Sequence, residues 1–151
     1  MPINLTGRMV PMMLAFAGVA IVWGSWTAGA AWRALSSRYP FPGRRFTPDE
    51  RFRFVSLRTM DGLIGGANYR SCAEVELNER GLLVSMWAPF RLFHPPMLIP
   101  WDAVKAWERK LTPWGDAVRL ELDDDLGVMV YGKAATAVLA TFQTDSEYRA
   151  S

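Results

Sequence analysis

Charge is missing from one long stretch of this 151-residue chain: no Asp, Glu, Lys or Arg occurs between Arg8 and Arg33, so Met9–Trp32 is an uncharged run of 24 residues. Cysteine is almost absent as well. Cys72 stands alone, which excludes an intrachain disulfide and a zinc site built on several cysteines. The only histidine, His94, has no second histidine or cysteine cluster to join it around a metal. Acids are scarce at the start: residues 1–58 hold eight arginines against Asp49 and Glu50, a balance of +6. With +2 over the whole chain, the remainder carries −4. That acidic remainder has no basic stripe, which argues against nucleic acid as a partner.

The motifs of common chemistries are missing too. Gly62, Gly65 and Gly66 form a flexible stretch, but no Lys-Ser/Thr pair follows, so a phosphate-binding P-loop is not supported. Asp123-Asp124-Asp125 lacks the further acids and closing glutamate of a calcium loop and reads as a solvated turn. Ser71 and Cys72 have only His94, set between Phe93 and two prolines, as a conceivable base. The expectation is a non-enzyme with no cofactor and no metal.

What is present divides the chain into two physical objects. The uncharged run is about 36 Å long as a helix, enough to cross a hydrocarbon core of about 30 Å. Pro11 suits its first turn, and Trp23, Trp26 and Trp32 crowd its far end, where indole rings favour the headgroup boundary. The competing reading is a cleaved signal peptide, with Ala28-Gly29-Ala30 offering small residues to a peptidase. Against it, the run exceeds the signal core of about 7–15 residues. Five arginines between residues 33 and 52, against Arg8 alone before the run, orient a single-pass anchor in the inner membrane. Its N-terminus would be outside and the following domain cytoplasmic. Ala20, Gly24 and Ala28, with Ser25 and Gly29 alongside, make a small-residue face suited to packing on other transmembrane subunits. Arg33, Arg38, Arg44 and Arg45 are candidates for lipid-headgroup contact.

The expected organisation is an anchor over 1–35, a Pro/Arg-rich juxtamembrane linker over 36–50, a β domain over 51–143 and a tail over 144–151. Arg51–Leu57 alternates as a strand. Cys72–Leu77 alternates more cleanly and leads through Asn78-Glu79-Arg80-Gly81 into Leu82–Trp87, a hairpin. Met97–Trp101 is a short strand, Val104–Leu111 another, and Val118–Leu122 with Leu126–Tyr131 a second hairpin around the aspartates. The alanine-rich stretch Lys133–Gln143 reads as a closing helix.

About seven strands and one closing helix follow a single transmembrane helix in this reading. Arg80–Ser85 and Phe90–Val104 carry Gly-Leu and Ile-Pro-Trp-x-x-Val, and these residues resemble the core of bacterial PH-like and GRAM-like domains. They are most similar to small membrane-anchored bacterial proteins with a His-Pro-Pro-Leu-x-Ile-Pro-Trp motif, matched at His94–Trp101 with Met97 in the leucine place. The resemblance spans residues 50–143. It implies a PH-like barrel and transfers no catalytic residue.

The loop of Phe90, Arg91, Phe93 and His94 mixes aromatic and basic groups between prolines. Either it meets a partner or the bilayer interface, or Phe90 and Phe93 turn inward and plug the barrel. Two functions follow from the whole reading. One is a non-catalytic, membrane-tethered interaction module, an accessory subunit of a larger membrane complex. The other is a signal-cleaved periplasmic protein that binds a small ligand or lipid.

Overall fold

The computed structural model describes residues 29–44, 47–62, 65–88, 90–123 and 125–150. Among them, seven strands form one antiparallel sheet: β1 (Glu50–Asp61), β2 (Ala67–Asn78), β3 (Gly81–Met86), β4 (Met97–Pro100), β5 (Ala106–Thr112), β6 (Gly115–Glu121) and β7 (Leu126–Tyr131). Their order is β4-β3-β2-β1-β7-β6-β5, a mainly-β half-barrel. A helix over residues 29–38, α1, precedes the sheet, and α2 (Lys133–Ala150) follows it. Short 3-10 turns, η1 (Phe90–Phe93) and η2 (Trp101–Ala103), flank β4.

Local patterning accounts for the two hairpins expected from the sequence, β2–β3 and β6–β7. In β2, Ala73, Val75 and Leu77 are buried, whereas Glu74 and Glu76 lie on the opposite face and pair with β1. Arg51 bridges to Glu76, and Arg53 reaches Glu74 at 3.2 Å. The β2–β3 turn is closed by Asn78, whose Oδ1 accepts from the N–H groups of Arg80 at 2.9 Å and Gly81 at 3.1 Å. Gly81 is required by a close approach: a Cβ there would lie 2.1 Å from the Ile99 carbonyl oxygen on β4. In the β6–β7 turn, Asp123 accepts from Lys105 at 2.6 Å and lies 3.7 Å from Arg38; Lys105 first holds its carboxyl below the usual range.

Helix α2 buries Ala134, Ala135, Val138 and Leu139. Its Phe142 stacks on Trp107 at 5.7 Å and meets Trp101 edge-on at 5.5 Å. The helix runs on to Ala150, through most of the expected tail.

Helix α1 departs furthest from expectation. Trp32, Leu35, Ser36 and Tyr39 recur at helical spacing and are buried, Trp32 at 0 % exposure, within the same core as the strands. The chain then continues along the sheet edge: Leu98 N–H donates to Tyr39 O at 3.1 Å and Pro40 bridges Met97. Residues 31–40, expected as anchor end and linker, are structural parts of the β domain. Among the described residues, no helix is long and apolar enough to cross a membrane. The expected span lies, up to residue 28, outside the described residues.

Candidate functional site

The site is built where α1 enters the half-barrel. Three rings meet edge-on: Trp32 from α1 lies 5.2 Å from Tyr69 of β2 and 5.3 Å from His94, and Tyr69 and His94 are 5.2 Å apart. The indole N–H of Trp32 donates to Pro95 O at 2.8 Å, so its polar edge is satisfied within the core. Trp32 is therefore not an interfacial tryptophan, because both its ring and its donor are taken up by the domain.

His94 is buried, and its Nδ1 lies 3.0 Å from Phe90 O. This contact suits Nδ1–H as donor and leaves Nε2 as acceptor. Nε2 is buried without a hydrogen-bond partner among the described residues. Burial pushes the imidazole pKa down, the Phe90 carbonyl opposes the shift, and the Arg33 cation adds to it. The ring is therefore a neutral structural group at the foot of α1. A Cβ added at Gly29 would lie 3.8 Å from Nε2, so the start of α1 sits against His94. Burial raises the Tyr69 pKa to about 12 and pushes the Cys72 thiol up as well, which disfavours a reactive thiolate.

Beside this buried cluster, η1 presents the opposite surface. Its frame is fixed by Arg91 Nε donating to Met86 O at 3.3 Å, Phe90 N–H to Trp87 O at 3.0 Å, and His94 N–H to Arg91 O at 3.3 Å. With the backbone so held, Phe90, Leu92 and Phe93 point outward, Leu92 at 84 % exposure. Of the two orientations open in the sequence, the inward plug is excluded. Trp87 and Phe54 extend the exposed apolar surface, their ring centroids 6.2 Å apart.

Other expected site residues fall in different places. Arg38 is directed to Asp123 rather than left unengaged, Arg33 is half-buried beside Gly29, and Arg44 is exposed. Gly29 is buried at the start of α1. Ala20, Gly24, Ser25, Ala28, Trp23, Trp26 and Arg45 lie outside the described residues. Alternation along Arg51–Leu57 gives no sign that Phe54 is exposed through a bulge in β1, and Leu92 joins the two phenylalanines on the exposed side of the loop. Among the described residues no group of three or more His, Cys, Asp or Glu is placed to hold a metal. The arrangement joins an apolar crest, the exposed Arg91 and a buried imidazole that lies against the start of α1. Searches with family models, curated proteins and solved structures returned no match to this chain.

Proposed function

We propose that this chain is a non-catalytic, membrane-tethered PH-like module that serves as an accessory subunit of a larger membrane protein complex. The observation that carries the reading is the junction of α1 with η1. The helix that continues from the uncharged run is locked into the core through Trp32, and its start at Gly29 lies against the ring of His94, which directly follows the exposed Phe90, Leu92 and Phe93 of η1. A tether leaving at Gly29 would hold this crest near the headgroups. There its rings suit the interface, and Arg91 suits anionic lipid.

A second apolar surface supports a protein partner. Trp107 and Leu111 are exposed on β5, an edge strand of the sheet. Exposed apolar surface of this kind on a β-edge is suited to covering by another chain.

The test is mild-detergent extraction from native membranes, followed by size separation and mass spectrometry. Stoichiometric comigration with a defined complex is expected. Migration of the chain alone would overturn the accessory-subunit reading. An intact mass lacking the segment before Gly29 would overturn the tether and turn the assignment to the signal-cleaved, ligand-binding protein.

A further inference from the structure

A cleft of about 750 Å³ opens where β1 parts from β7. Strand β1 pairs with β2 from Glu50 onward but with β7 only over Leu57–Asp61. The first half of β1 therefore leaves a gap beside Tyr131, Gly132 and the start of α2, and the cleft fills that gap.

Its lining is one-sided in charge. Arg53, Arg58, Arg70 and Lys133 border it, and among the described residues no carboxylate does. Arg53 is engaged by Glu74. Arg58, Arg70 and Lys133 are exposed and form no ion pair with an acid among the described residues. Arg58 stands opposite Asn68 in the β1–β2 ladder. Since the intervening Leu57 and Tyr69 face inward, Arg58, Asn68 and Arg70 share the outer face.

The backbone at the cleft is unusual in the same place. Phe54 has φ 55° and Ser71 φ 51°, both in the left-handed region, and both line the cleft. A bulky residue in that region is strained, and such strain concentrates at binding sites. The two residues sit at the register shifts of β1 and its partner, where Ser71 N–H donates to Ser56 Oγ at 3.0 Å. The bulge turns Phe54 outward to 62 % exposure, and Trp114, at 87 %, stands on the cleft from the β5–β6 turn.

Cations without acids, neutral hydrogen-bonding groups and two exposed rings together define the chemistry of a ligand. We propose that this cleft binds a phosphate-bearing amphiphile, the phosphate held by Arg58, Arg70 and Lys133 and the apolar body laid on Phe54 and Trp114. Guanidinium pairs suit phosphate because they donate in a planar fork, and aromatic faces suit an acyl or ring body. Phe54 is shared with the apolar surface that runs on from η1, whereas Arg58, Arg70, Lys133 and Trp114 belong to the cleft, so variants at these four test the site apart from tethering.

The test uses the full chain in phosphatidylcholine nanodiscs, titrated calorimetrically with short-chain dihexanoyl phosphatidic acid and, separately, with glycerol phosphate; empty discs give the partitioning baseline. Saturable binding of the amphiphile is expected, with glycerol phosphate weaker by about tenfold or more. The Arg58→Gln/Arg70→Gln double variant is expected to weaken the amphiphile by about tenfold or more, and Lys133→Gln by several-fold. Trp114→Ala should weaken the amphiphile and leave glycerol phosphate unchanged. These side chains are exposed, and an unchanged circular dichroism spectrum checks each variant's fold. Discs loaded with long-chain phosphatidic acid identify the source: loss of the titration assigns a bilayer lipid, and its persistence a soluble ligand. Binding no different from empty discs, or unchanged in the double arginine variant, overturns the site. Equal affinity for glycerol phosphate overturns the amphiphile in favour of a simple phosphate ester.

Discussion

The two helices cover the half-barrel by different means. Helix α1 holds chiefly through two large, fully buried side chains: Trp32 lies among Tyr69 and His94 with its indole N–H tied to Pro95, and Leu35 joins the same core. Helix α2 spreads its hold over Ala134, Ala135, Val138 and Leu139, with Phe142 stacked on Trp107 at the rim. A closure resting on a few large side chains loses much when one is removed, whereas a closure made of many small contacts loses them singly. The first kind also couples the helix to a titratable group, because His94 is part of the cluster that Trp32 fills.

The two helices should differ most on loss of Trp32. Trp32→Ala removes a fully buried indole and is expected to cost about 3–5 kcal/mol in urea unfolding, with faster amide exchange across residues 29–38 and the η1 turn. On the other helix, Leu139→Ala is expected to cost less, about 2–3 kcal/mol, with exchange changes confined to α2. Equal costs and equally local exchange at the two sites would erase the distinction.

Acid should loosen α1 before α2. Burial lowers the folded pKa of His94 below its ordinary 6.5, so the neutral ring is the folded form. The unfolded chain takes up its proton first as pH falls. Stability is therefore full above 6.5 and is lost progressively as pH drops from there through the lowered folded value. Urea melts between pH 7.5 and 5 check this, and His94→Asn should flatten the dependence. Opening of α2 at the same pH as α1, followed by amide exchange, would count against the coupling.

The smallest effect is expected on the crest. Phe93→Ser and Leu92→Ser replace exposed side chains and should move stability by no more than about 0.5 kcal/mol. In flotation with anionic vesicles, the same variants should reduce association of the full chain more than a matched change at exposed Thr141. A stability loss comparable to that of Leu139→Ala would show that the crest packs against the domain.

Much of the sheet was legible in the residues. The alternation Ala73, Val75, Leu77 against Glu74, Glu76 and the turn at Asn78–Gly81 specify the β2–β3 hairpin locally, and Val118–Tyr131 does the same for β6–β7. Strand β5 begins at Ala106 rather than Val104 because Trp101–Ala103 forms a 3-10 turn, with Val104 N–H bonded to Trp101 O. The long-range parts were not legible. Trp32 reads as the end of an uncharged run, since hydropathy cannot distinguish a bilayer from a protein core when both are apolar. The outward Phe90 and Phe93 depend on hydrogen bonds from Arg91 to Met86 and from His94 to Phe90, which the spacing of aromatics does not reveal. Phe54 sits at a bulge, and a one-residue irregularity inverts the faces that alternation assigns.

The sequence by itself determined the number of strands, the β2–β3 and β6–β7 hairpins and the closing helix, because side-chain alternation and turn chemistry act between residues close along the chain. Only the tertiary structure decided that Trp32 belongs to the domain's core, that β1 pairs with β7 only from Leu57 onward, and that Arg58, Arg70 and Lys133 border one cleft. These depend on residues far apart in sequence being brought together, and long-range pairing leaves no periodic trace in the amino-acid order.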